Sequence, residues 1–187
     1  MAGFWDWRAQ SGATVAAPPV LERGLQSTLE PVEIYTATAM VHGLVEPEGR
    51  RLSDMLNSNS ALAIRDARST SLLMDVDGSE GSGWSRLATD EILFVMPPER
   101  ESPRQLRIHR RQHRVRIETG QFQIVGNAHA LPGVRLDPYV LRTRMHFLAI
   151  TGAHVSSMGD PAWERSVPVV LVNVRPIEGL TEVLTIS

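Results

Sequence analysis

The chain contains two stretches that can be laid side by side in order. The first begins at Val32 and the second at Val115. Val32, Ile34, Thr36 and Gly43 match Val115, Ile117, Thr119 and Gly126 without a gap. One residue later in the second stretch, Gly49, Arg51 and Leu52 match Gly133, Arg135 and Leu136. Leu62-Ala63-Ile64 matches Leu148-Ala149-Ile150, and Ala67 matches Ala153. Trp84-Ser85-Arg86 matches Trp163-Glu164-Arg165 across a shortened loop, and Val95 and Pro97 match Val174 and Pro176. Preserved order, with insertions where turns belong, points to an internal duplication. Such a repeat restricts the fold more than composition does.

Each copy reads as ββαββ. Val115–Thr119 alternates, Gly120 turns the chain, and Phe122–Ala128 returns as the second strand of a hairpin. Leu131-Pro132-Gly133 then breaks the sheet. A short helix is predicted over Arg51–Asn57, where Leu52, Met55 and Leu56 share one face, and over Arg135–Arg144. His146–His154 and Val167–Val174 supply the last two strands; the first copy gives Val32–Thr36, Ala39–Val45, Ala61–Ala67 and Glu91–Met96. The predicted class is mainly β (α+β): two tandem small β domains packed as a pseudo-twofold body, with Trp84 and Trp163 as core anchors. Units this small bury little surface alone, so the copies are expected to pack together. The predicted boundaries are an extended N-terminal tail at 1–31, a first repeat at 32–98 and an arginine-rich connector at 99–114. A second repeat at 115–178 and a C-terminal tail at 179–187 complete the chain.

Net charge is −2, which gives no bulk attraction for nucleic acid. All 19 basic side chains are arginine. Without lysine there is no Schiff-base chemistry and no lysine-type phosphate loop. Without cysteine there are no disulfides and no thiolate chemistry. Cysteine absence is compatible with a reducing cytosol, and the N-terminus lacks a basic region followed by an apolar run. A cytoplasmic protein without a membrane span is therefore expected.

Two segments stand out as binding candidates. Phe4-Trp5-Asp6-Trp7-Arg8 places three aromatics and an arginine at the tip of a proline-interrupted tail. Phe4, Trp5, Trp7 and Arg8 are thus candidates for contact with a protein partner. The strip from Arg100 to Arg116 holds seven arginines and two histidines. Arg107, Arg110, Arg111, Arg114 and Arg116 are its candidates for phosphate or RNA. The competing reading makes the strip a connector whose arginines pair with acids around Asp75, Asp77 and Glu80. The Asp75–Glu80 loop lacks the later ligands a calcium site needs. His109 and His113 are four apart, but the surrounding arginines repel a cation. No catalytic residue, metal site or cofactor is assigned.

Gly43, Asp54-Met55-Leu56-Asn57, Leu62-Ala63-Ile64 and Ile92–Val95 follow one another in an order that resembles the Sm-like RNA-binding fold. In the second copy Asp137-Pro138-Tyr139 stands near the place of the Asp-x-x-Asn segment. The paired G…R-L-S-D-x-L-N pattern resembles uncharacterised bacterial domains of unknown function. The basic run Arg107–Arg111 resembles that of a PilZ-type cyclic-dinucleotide domain, although its second polar motif is missing. The expected function is a non-catalytic adaptor or assembly subunit acting through sheet edges and the aromatic arm. The alternative is Sm-like or PilZ-like binding of RNA or a phosphorylated ligand at the arginine strip.

Overall fold

The computed structural model describes residues 28–47, 49–72, 77–80, 82–98, 111–130 and 145–183. They form one antiparallel sheet of eleven strands and a single helix. In chain order these are β1 (Glu30–Thr36), β2 (Ala39–Val45), α1 (Leu52–Ser58), β3 (Ala61–Ser71), β4 (Asp77–Glu80), β5 (Trp84–Ala88) and β6 (Ile92–Met96). Then follow β7 (Arg111–Thr119), β8 (Phe122–Ala130), β9 (Phe147–Ser157), β10 (Glu164–Asn173) and β11 (Ile177–Glu182). No helix among the described residues is long and apolar enough to cross a membrane.

Alternation explains the strands that the sequence shows most clearly. On β7, His113, Val115, Ile117 and Thr119 are buried, whereas Gln112, Arg114, Arg116 and Glu118 lie on the other face. That is the period of two of a sheet with one wet side. β6 is different: all five residues, Ile92 to Met96, are buried. The strand lies between β1 and β10, and its side chains enter two separate cores. A strand covered on both faces reads as an unbroken apolar run.

The first half has the strand order β6-β1-β2-β3, with β4 and β5 beside β3; the second has β11-β7-β8-β9-β10. Val32 faces Gly43 across β1–β2, and Val115 faces Gly126 across β7–β8. A Cβ on Gly43 would lie 2.3 Å from Ile64 Cγ2 and 3.1 Å from the Arg65 carbonyl. A Cβ on Gly126 would lie 2.4 Å from Ile150 Cγ2 and 3.1 Å from the Thr151 carbonyl. Both halves bulge beside these glycines, with Asp66 at φ 51° and Gly152 at φ 52°. The extra residue reverses facing parity: Leu148 and Ile150 are buried before it, Ala153 and Val155 after it.

The sheet runs from one half into the other where β6 meets β10, with Val95–Leu171 and Phe94–Val172 as the ladder pairs among the described residues. Side chains reinforce this short ladder. Tyr35 stacks on Phe94 with ring centroids 4.5 Å apart, and both meet Phe122 edge-on at 5.5 and 5.0 Å. Trp163 closes the group against Tyr35 and Phe122 at 5.6 and 5.4 Å. Such pairs add about 0.5–1.5 kcal/mol each beyond the area they bury. Leu171 and Phe147 enter the core of the first half, while Tyr35, Leu93, Phe94 and Met96 enter that of the second.

Several expectations need correction. The joint uses unlike edges, so the halves do not meet about a pseudo-twofold, which would bring the same strand to both sides. Each half has more strands than ββαββ allows. β4 and β5 occupy the stretch read as a polar loop, and β11 includes residues 179–182, read as a tail. Arg111–Arg114 belong to β7 rather than to a connector. Trp84 is 55% exposed and is no core anchor, while Trp163 is half-buried against the core. The two tryptophans are also not in matching places: Trp84 lies on β5 opposite Arg65, and Trp163 precedes β10. Val95 pairs with Ile34 within β1–β6, whereas Val174 lies beyond β10, so that match fails too. The expected helix over Arg135–Arg144 falls outside the described residues.

Candidate functional site

Two kinds of surface offer chemistry: a cleft beside the joint and the outer edges of the sheet. The cleft forms because β6 and β10 separate after their two pairs, at Pro97 and Pro98. It has a volume of about 550 Å³. Glu33 and His42 from the first hairpin, Asp66 and Arg68 from the bulged β3, and Arg165 from β10 line it above an apolar floor. His42 Nδ1 lies 3.9 Å from Glu33 Oε1. The Tyr35 hydroxyl donates to Glu33 Oε2 at 3.1 Å. Burial, reinforced by the Glu33 carboxylate, pushes the Tyr35 hydroxyl well above the usual tyrosine range, so this donor stays protonated. The cleft mixes both signs of charge.

Two asparagines hold the halves in register. Asn57, in α1, accepts from the His146 and Phe147 N–H groups at 2.6 and 2.8 Å. Its amide donates to the Phe147 carbonyl at 3.2 Å and the Ser53 carbonyl at 2.7 Å. Asn173, buried at the end of β10, donates to the Ile92 and Thr89 carbonyls at 2.8 and 3.2 Å. The Asn57 that carries the Sm-like resemblance therefore clamps the second half and is spent on backbone groups.

Among the described residues the outer edges are β11, hydrogen-bonded to β7, and β5 with β4, hydrogen-bonded to β3. β5 presents Trp84, Ser85 and Arg86, all exposed; β11 presents Glu178, Thr181 and Glu182. A hollow of about 430 Å³ lies beside the β5 edge, lined by Met55, Ser58, Ala61, Ala63, Trp84 and Arg86. His113 Nδ1 meets Glu182 Oε1 at 2.7 Å and ties β11 to β7, while the buried Nε2 has no partner among the described residues.

Phe4, Trp5, Trp7 and Arg8 lie outside the described residues, as do Arg107 and Arg110. For Arg111 the backbone lies in β7, opposite Ala130. Arg114 and Arg116 share the outward face of β7, and Arg114 donates to the Gly152 carbonyl at 3.5 Å. The histidines disperse. His129 meets Thr151 Oγ1, His154 lies 3.4 Å from Glu164, and His146 contacts Arg175. Among the described residues no group of three His, Asp or Glu could hold a metal. The sequence reading missed Arg86, Glu178 and Leu180 as edge residues. Trp84 is the signal that the sequence offers there, and a tryptophan in a β-rich stretch points to core rather than edge.

Comparisons with family models, with curated proteins and with solved structures find no match to this chain.

Proposed function

We propose that the chain is a tandem duplication of one small β unit, to which the first copy adds β4, working as a non-catalytic assembly subunit or adaptor that binds proteins through its outer sheet edges. The equivalent clashes at Gly43 and Gly126 and the paired bulges at Asp66 and Gly152 support the duplication. The observation that carries the function is the pair of outer edges. Both present backbone groups able to extend the sheet, and one carries the exposed Trp84. Phe4, Trp5, Trp7 and Arg8 are proposed as a second contact on the same partner. Photo-crosslinking amino acids placed at Ser85 and Thr181 in the native host test this. Both should capture proteins, whereas a control at the exposed loop residue Asp90 should not.

A second reading draws support from Arg114 and Arg116 on one outward face of β7. It assigns RNA or a phosphorylated ligand to this face and to Arg107, Arg110 and Arg111. It predicts RNA binding that weakens steeply with salt and is lost on replacing Arg114 and Arg116 by alanine. That result, with no protein captured at Ser85 or Thr181, would overturn the assembly reading.

A further inference from the structure

The joint inside the chain gives a template for a joint between chains. It pairs β10, the strand beyond β9, with β6, the strand beyond β1. The same two kinds of edge recur at the ends of the sheet. β5 and β4 flank β3 as β10 flanks β9, and β11 flanks β7 as β6 flanks β1. We propose that the β5 edge of one copy pairs with the β11 edge of a second copy, head to tail, in the register of the internal joint. This inference rests on the edge-assembly reading and names the partner as the chain itself.

The register follows from the pairs within each half. Leu87 faces Leu62 as Val172 faces Leu148, so Leu87 takes the place of Val172 and Arg86 that of Leu171. Trp84 faces Arg65 as Val169 faces Thr151. Val169 packs against the core of the first half, so Trp84, 55% exposed, occupies a position that is covered at the internal joint. On the other edge, Leu180 faces Ile117 as Val95 faces Ile34, and Gly179 faces Glu118 as Phe94 faces Tyr35. The copied joint therefore sets Arg86 opposite Leu180 and Leu87 opposite Gly179.

Charge fits this register. Glu182 stands two residues beyond Leu180 on the same face, and Glu178 stands at the irregular step just before Gly179, so Arg86 comes opposite a stretch of the neighbour's edge that carries two carboxylates. Two β5 edges would instead oppose arginines, and two β11 edges would oppose glutamates. The unlike pairing is thus favoured over either like pairing. Gly179 lacks the ring that Phe94 supplies inside the chain, so the joint between copies is weaker and reversible. Because the edges differ, pairing does not stop at two copies; it closes into a ring or continues as a filament.

Sedimentation velocity on the full chain over a concentration series tests the inference. The wild-type protein should move from its 20.7 kDa monomer to larger species as concentration rises. Arg86→Glu and Glu178→Arg should each weaken association roughly tenfold, since each sets like charges across the joint. Both positions are exposed, and unchanged circular dichroism would show that the fold survives. An equimolar mixture of the two variants should regain association, because each offers the other an edge of opposite sign. A wild-type chain that stays monomeric throughout overturns the proposal. So does association indifferent to both variants, or loss in one variant only, which marks a joint between like edges. Other proteins captured at Ser85 and Thr181 by a monomeric chain would leave the edge-assembly reading standing while removing the second copy as partner.

Discussion

At Asn57 four hydrogen bonds converge on one side chain, and three of them reach the second half at His146 and Phe147. Replacing it by alanine leaves two backbone N–H groups and a carbonyl without that partner. Asn57→Ala should cost about 2–3 kcal/mol, read as a lower urea midpoint at unchanged slope. Tyr35 makes a different prediction. Its hydroxyl is harder to ionise in the folded protein than in the unfolded chain, chiefly through burial and then through Glu33. A raised folded pKa contributes stability that is complete below the unfolded value and is lost as pH rises past it. Above about pH 10, stability should fall by about 1.4 kcal/mol per pH unit from this group alone. Tyr35→Phe should remove that part of the slope in denaturation series run from pH 8 to 11. Stability near pH 7 should change little in the same variant, because the hydroxyl has a single partner at 3.1 Å.

The bulged hairpins show how two glycines shape whole strands. Gly43 and Gly126 let β3 and β9 cross so closely that an added methyl would strike an isoleucine and a carbonyl. Gly43→Ala and Gly126→Ala should each destabilise by about 1–3 kcal/mol, and by similar amounts, in equilibrium unfolding. A large effect at one site and none at the other would count against equivalent roles. These glycines were legible in the sequence, as were β1, β2, β7 and β8, because alternating apolar residues flank tight turns. α1 was legible too, through Leu52, Met55 and Leu56, all buried. β5 and β11 were not. Each is short, and β11 contains a glycine at an irregular step in its pairing, so partners across the sheet decide them rather than local pattern. The sequence shows that a sheet with edges must form, not where its edges lie. Which strands form them depends on pairings between residues far apart in sequence, and Trp84 looks like core in any one-dimensional reading.

Across the whole molecule, each half completes the core of the other. Phe94 and Tyr35 from one half pack with Phe122 and Trp163 from the other. Calorimetry should therefore show one unfolding transition, with equal van't Hoff and calorimetric enthalpies, rather than two. Phe94→Ala should lower that transition by about 3–5 kcal/mol without splitting it. The same interlock bears on how the protein is made. β6 leaves the ribosome with Phe94 and Val95 in place, but their partners Val172 and Leu171 are encoded about 75 codons later. At about 5–20 residues per second, translation leaves this wholly buried strand without its second neighbour, β10, for roughly 4–15 seconds. During that interval a nascent first half presents an uncovered β6 edge to every other nascent chain on the same message. Slowing synthesis with rare codons between positions 98 and 170 would lengthen the interval and increase the insoluble fraction.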